Sequence, residues 1–89
     1  MTYDIFEHVT SYSDNRTYLH IKTQNTAHID IRLYDILGKE VATLKNEMLF
    51  SGSHVIDVKQ ATKSRLEQGQ YVYKISIGKR NFSKPIMVM

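Results

Sequence analysis

Cysteine is absent from the 89-residue chain, and proline occurs once, as Pro85. Without thiols the protein can have no disulfide framework, no thiolate metal site and no cysteine nucleophile. The absence of cysteine does not indicate in which cellular compartment the protein resides. No run of about 18 apolar residues is present, so the sequence predicts no transmembrane segment. The first residues, Met1 to Glu7, lack the basic and apolar regions of a signal peptide, so a signal for export would have to lie upstream of them.

Glycine is scarce as well, and each of the four glycines stands alone at an expected turn: Gly38, Gly52, Gly69 and Gly78. A phosphate-binding loop needs closely spaced glycines, so this pattern argues against one. With 42% hydrophobic and 24% charged residues, the composition is that of a globular domain, and the length predicts a single domain over residues 1–89.

The C-terminal third of the chain is basic. Residues 59–89 carry seven basic residues against one acid, Glu67, and the net charge of the chain is +3. The lysines in this region alternate with apolar residues, as they do on a solvated strand face. Because no aromatic residue is interleaved in a known nucleic-acid motif, the sequence predicts no nucleic-acid partner.

One stretch shows the clearest strand pattern. Ile29, Ile31 and Leu33 alternate with charged residues, which is typical of a strand with one buried face. Tyr34 and Ile36 then place large apolar groups on the opposite face, so the end of this strand is predicted to be covered on both sides.

A tight turn is predicted directly after this strand. Asp35 can accept hydrogen bonds from the backbone just ahead of it, and Gly38 can adopt a positive φ without a Cβ clash. The segment around Gly38-Lys39 is therefore predicted to close a hairpin.

Further strands are predicted at 5–12, 17–23, 54–58, 71–77 and 82–89, with a turn at 13–15 and a four-residue hairpin loop at 78–81. Residues 45–50 look less regular, and residues 61–68 are predicted to form a loop or one helical turn that buries Leu66. Pro85 cannot donate to a ladder, which predicts an edge strand or a bulge. Six or seven short strands without helical periodicity predict an all-β fold, an antiparallel immunoglobulin-like β-sandwich of about seven strands, with a small barrel as the alternative.

Catalytic and metal-binding residues are hard to find in this sequence. The histidines are the first candidates for a base or a ligand, but no pair has metal-ligand spacing: His8, His20, His28 and His54. They are interpreted as structural or exposed. Three aspartates could offer oxygens to a hard cation, but no loop has alternating aspartates: Asp30, Asp35 and Asp57. The sequence predicts no catalytic residue, no metal site and no cofactor.

Tyrosines offer a different possibility. Tyr71 and Tyr73 share one strand face and could stack sugars, together with the Lys74 to Lys84 surface. Tyrosines in such positions are more often core or interface residues whose hydroxyl reaches a partner. A glycan- or protein-binding β-sandwich module of a surface protein or structural assembly is therefore kept as the alternative function.

Four segments together resemble a known family. They are the hairpin Tyr34-Asp35-Ile36-Leu37-Gly38-Lys39, the turn Gly52-Ser53-His54, the strand start Leu66-Glu67-Gln68-Gly69-Gln70-Tyr71, and a last strand with basic and aliphatic residues around Lys84. Their order and spacing, from about Tyr12 to the end, resemble the C-terminal sorting domain of type IX secretion substrates. The immunoglobulin-like domain of flagellar hook-capping proteins is similar in the hairpin segment and is the second resemblance.

The first resemblance implies a β-sandwich at the C-terminus of a larger exported protein from a bacterium of the Bacteroidota phylum. The domain would carry an upstream cargo through the type IX translocon to the cell surface, where attachment-complex proteins commonly cleave it and join the cargo to lipopolysaccharide or release it. It implies no enzymatic activity. The residues that match the family pattern are expected to set turn geometry and recognition: Tyr34, Asp35, Gly38, Lys39, Gly52, Leu66, Gly69, Tyr71 and Lys84. The oligomeric state is not predicted.

Overall fold

The computed structural model describes residues 4–11, 16–62 and 66–88, which form seven strands and one short helix. In chain order the elements are β1 (Ile5–Ser11), β2 (Arg16–Thr23), β3 (Ala27–Asp35), β4 (Glu40–Leu49), β5 (Gly52–Asp57), α1 (Val58–Ala61), β6 (Gly69–Ile77) and β7 (Arg80–Val88). The strands form a three-stranded sheet, β1-β2-β5, and a four-stranded sheet, β4-β3-β6-β7, with every pairing antiparallel. The predicted immunoglobulin-like sandwich of seven strands is confirmed. The turn predicted at 13–15 lies outside the described residues.

The core lies between the inner faces of the two sheets. Apolar residues two apart along a strand point to the same face, and these residues have lost nearly all contact with water. The central strands supply most of them: Leu19 and Ile21 from β2, Ile29, Ile31 and Leu33 from β3, and Tyr73, Ile75 and Ile77 from β6. The period-two pattern therefore identified the buried face of each central strand correctly.

The prediction that residues 45–50 are irregular was wrong, because β4 continues to Leu49 and pairs with β3 along its length. The pairing shifts register between Ile31 and Arg32 and again between Leu33 and Tyr34. Such bulges change which face the following residues point to. The apolar alternation of β4 is therefore interrupted, although the strand itself is not.

Two smaller predictions were also wrong in detail. The β6–β7 hairpin has a two-residue loop, since Ile77 pairs with Arg80, where a four-residue loop was predicted. Val58 begins α1 and does not extend β5, because the Asp57 carboxylate accepts a hydrogen bond from the Gln60 backbone N–H at 3.1 Å and caps the helix. Within the described ranges α1 is four residues long, and no helix there has the length and apolar character needed to cross a membrane.

Strand β7 forms one edge of the four-stranded sheet, as the position of Pro85 predicted. Pro85 pairs with Val72 of β6. On the opposite sheet β1 is also an edge strand, with β2 as its neighbour. The two edges β1 and β7 meet along one side of the sandwich.

Candidate functional site

The β3–β4 turn is held by one carboxylate. Oδ1 of Asp35 accepts hydrogen bonds from the backbone N–H groups of Leu37 and Lys39, both at 2.9 Å. The backbone closes the same turn, with Asp35 N–H donating to the Lys39 carbonyl at 2.9 Å and Gly38 N–H donating to the Asp35 carbonyl at 3.1 Å. Gly38 has φ +88°, a conformation that favours glycine. The predicted roles of Asp35 and Gly38 in the turn are confirmed.

Strand pairing brings this turn beside a second family segment. Asp35 lies opposite Tyr71 in the β3–β6 ladder, and Tyr71 in turn lies opposite Ile86 of β7. The Tyr71 hydroxyl donates to the Glu67 carbonyl at 2.8 Å, which fixes the chain that leads into β6. Leu66, ahead of it, is partly buried against the core, as predicted. We call this end of the sandwich the hairpin end: the β3–β4 turn, the start of β6 and the end of β7.

The surface of the hairpin end is apolar. Ile36 lines a shallow groove of about 320 Å³ whose other apolar walls are Tyr71, Val72, Pro85, Ile86 and Met87. The prediction that Ile36 is covered was wrong, because it is 68% exposed, and its neighbour Leu37 is 89% exposed. The strand ends at Asp35, and the turn bends the chain away from the sheet before Ile36. The Ile36 side chain therefore does not lie on the outer strand face to which the alternation assigned it. Exposed apolar patches of this kind are typical of interaction sites.

Tyr34 lies beside the groove, on the outer face of the four-stranded sheet. The ammonium nitrogen of Lys74 is 4.3 Å from the centre of the Tyr34 ring. The Tyr34 hydroxyl is 3.5 Å from the Glu40 carboxylate, which also binds Arg32 at 3.0 Å. Tyr34 is thus part of a polar network that anchors the outer face next to the turn.

Two of the predicted residues lie away from the hairpin end. Gly52 begins β5 at the other end of the sandwich, where it pairs with Thr23 and has φ +124°. Lys84 lies midway along β7, and its ammonium group donates to the Phe6 carbonyl of β1 at 2.7 Å. Gly69 begins β6 with φ +150°, opposite Val88, and so belongs to the hairpin end. The structure therefore groups Tyr34, Asp35, Gly38, Lys39, Leu66, Gly69 and Tyr71 and separates Gly52 and Lys84 from them.

Sequence reasoning missed the role of His8. Its Nε2 is 3.1 Å from the Met87 carbonyl and its Nδ1 is 2.8 Å from the Tyr73 hydroxyl. Because a carbonyl can only accept, Nε2–H donates to Met87, and Nδ1 of the neutral ring accepts from Tyr73. Burial lowers the pKa of His8; the bond to the Met87 carbonyl opposes this, and the charge of Lys84 adds to it. The available signal was the spacing of Phe6 and His8, which puts both on the inner face of β1.

The remaining candidates for chemistry are dispersed in the structure. Within residues 4–11, 16–62 and 66–88, no three His, Cys, Asp or Glu side chains gather as a metal site would require. Asp30 binds Arg32 at 3.0 Å, while Asp35 holds the turn and Asp57 caps α1. Tyr73 is fully buried, so of the two tyrosines named for glycan stacking this one cannot take that role.

These features define a class: an immunoglobulin-like sandwich in which two of the four motif segments, the β3–β4 hairpin and the start of β6, meet at one apolar end. The family model described as the secretion system C-terminal sorting domain matches residues 15–89. The chain belongs to this family, the C-terminal sorting domains of type IX secretion, as its motifs predicted. A comparison with curated proteins found no match.

Proposed function

We propose that this domain is a non-enzymatic address that directs an upstream cargo protein through the type IX secretion system to the cell surface. The observation that carries the proposal is the family match over residues 15–89, which covers six of the seven strands and all four motif segments. The partners would be the translocon and the attachment complex, and the cargo would precede the domain in the same chain.

The hairpin end is the surface that we propose for recognition. Contact between its exposed apolar side chains and water is unfavourable in free energy. A partner that covers Ile36 and Leu37 removes this contact, which favours binding. Lys39 at the same turn adds a cation, and β7 is an edge strand of its sheet, so its backbone groups can take part in strand addition. Asp4, which lies beside Arg80 at the start of β7, is at the opposite end of the sandwich, so an upstream cargo leaves the hairpin end accessible.

Surface delivery of a reporter tests the proposal. A signal peptide, a reporter and residues 1–89 are expressed in a host with an active type IX system and in the same host with the translocon deleted. We expect reporter on the cell surface or in the medium of the first host and in the periplasm of the second. Equal distribution in the two hosts would contradict the proposed function.

A matched pair of variants tests the recognition surface. Leu37 and Phe50 are both large, apolar and highly exposed, at 89% and 78%, but they flank opposite ends of β4. We expect Leu37→Ser to reduce surface delivery and Phe50→Ser to leave it unchanged, with both variants folded by circular dichroism. Equal effects of the two substitutions would exclude the hairpin end as the specific contact.

A further inference from the structure

Strand β1 runs alongside β7 in the same direction, and side chains join the two strands. Residue numbers rise along both strands from one contact to the next. The contacts are Asp4 with Arg80, the Phe6 ring with the Phe82 ring, the Phe6 carbonyl with Lys84, and His8 with the Met87 carbonyl. Among the described residues no backbone hydrogen bond links β1 to β7. This side of the sandwich is therefore closed by side chains and not by a ladder.

β1 contributes little to the hydrophobic core. It has a single ladder, to β2, and of its described side chains Phe6 alone belongs to the core, at 9% exposed. The ion pair with Asp4 uses Arg80, which is largely exposed, so it contributes little. The family match begins at residue 15, after β1 has ended. Elements with few buried apolar contacts open locally at the lowest cost.

The strand that β1 covers has backbone groups that point away from its own sheet. The Met87 carbonyl accepts from His8, so it is directed to the β1 side and not to β6. Backbone groups alternate in direction along a strand, so Pro85 presents its backbone on the same side as Met87. Proline has no N–H, so its position on this side leaves the β6–β7 ladder intact, and a segment that pairs with this side meets the Pro85 carbonyl as an acceptor and no donor at that residue.

We propose that β1 is a detachable strap. It can leave the sandwich while residues 16–62 and 66–88 stay folded, and its departure exposes the β7 edge to an extended segment of a partner polypeptide. The strap is a property of this fold alone, while the identity of the partner as a component of the secretion machinery rests on the proposed function.

Native-state hydrogen exchange of the complete 89-residue chain tests the strap. The amides of residues 5–11 should exchange at least about tenfold faster than those of β3 and β6, through an opening that depends less on denaturant than global unfolding does. Lys84→Met removes the donor to Phe6 and should speed exchange in residues 5–11 by about a further tenfold, the usual effect of losing a hydrogen bond to a charged group.

Lys74→Met is the matched control, because it removes a lysine from the outer face of the same sheet, away from β1. It should leave the ratio between β1 and β3 exchange unchanged. If the amides of β1, β3 and β6 exchange through one common opening, the strap proposal is overturned. The same holds if Lys84→Met accelerates amide exchange equally in all strands. If Lys84→Met does not fold, the exchange pattern of the unmodified chain decides alone.

The proposed binding of a partner segment to the β7 edge, which we call the docking edge, is tested by delivery of the reporter. The substitutions are confined to β1. His8→Ala loosens the strap and leaves the side chains of β7 intact, while Ile5→Ala alters the exposed face of the same strand. We expect delivery to rise in His8→Ala and not in Ile5→Ala. Equal delivery by both variants and the unmodified domain would overturn the docking edge, whereas failure of all three would overturn the proposed function and leave the exchange result standing.

Discussion

The hydrogen bond between Tyr73 and His8 couples the two sheets, and its contribution can be isolated with a double-mutant cycle. Tyr73→Phe removes the hydroxyl and keeps the buried ring, and His8→Leu removes the acceptor and keeps a side chain of similar bulk. The two atoms are 2.8 Å apart, and Tyr73 is fully buried while His8 is half-buried. Each single substitution therefore removes one partner of the same bond.

The expected loss of folding free energy in each variant depends on which partner of the hydrogen bond remains in the protein. After Tyr73→Phe, water can reach the half-buried imidazole, so the cost is about 1 kcal/mol, the net value of a typical hydrogen bond. After His8→Leu, the buried hydroxyl has lost its acceptor, and the bond to the Met87 carbonyl is lost as well, so the cost is about 2 kcal/mol. The double variant no longer contains an orphaned hydroxyl, so the coupling energy should be about 1 kcal/mol.

Urea denaturation of the four proteins at a pH near 8 measures this coupling. A difference of about 1 kcal/mol corresponds to a shift of about 4–8 °C in a parallel thermal melt of a domain of this size. Costs that add to within about 0.3 kcal/mol would show that the two groups are not bonded in solution. That result would refute the hydrogen bond by which His8 of β1 joins the three-stranded sheet to Tyr73 of β6.

Three further predictions concern pH, the turn and the core. Since burial lowers the pKa of His8 from its ordinary 6.5, the folded state resists protonation of the ring. Stability should therefore be complete above that pH and should fall as the pH drops through 6.5 toward the folded pKa, with a smaller fall in His8→Leu; urea midpoints from about pH 8 to about pH 5 measure it. Gly38→Ala should cost about 1 kcal/mol from backbone strain alone, since no described atom lies within 4 Å of the added Cβ, and Gly38→Asn should restore part of it in thermal melts. Ile31→Ala should cost about 3 kcal/mol in urea denaturation, because it opens a cavity between the sheets, whereas Ile5→Ala on the exposed face of β1 should cost less than about 0.5 kcal/mol.

The sequence predicted the parts of the fold that depend on local alternation and on turn chemistry. The inward faces of β2, β3 and β6 were visible because nothing interrupts the apolar residues at every second position. The Asp35 turn was visible because its hydrogen bonds run to residues two and four positions ahead. Both signals lie within a few residues of the chain.

Features that depend on distant pairing were not visible. The bulges in β4 interrupt its side-chain alternation, so residues 45–49 could not be recognised as a continuation of the strand. His8 meets Tyr73 and Met87 across 65 and 79 positions of the chain, and no local pattern connects them. Family motifs located the hairpin end, but the exposure of Ile36 and Leu37 became apparent only from the path of the turn.

The direction of β1 has a mechanical consequence. Its first residues lie at the end of the sandwich opposite the hairpin end. On the proposed function, a pull from an upstream cargo against a partner at the hairpin end therefore acts along the strands. Such a load stretches the β1–β2 ladder in shear, and its hydrogen bonds resist together. A segment that enters between β1 and β7 at the Ser11 end instead displaces the side-chain contacts between these two strands one at a time. The strand should therefore resist a pull along its length and yield to a segment that competes for the β7 edge.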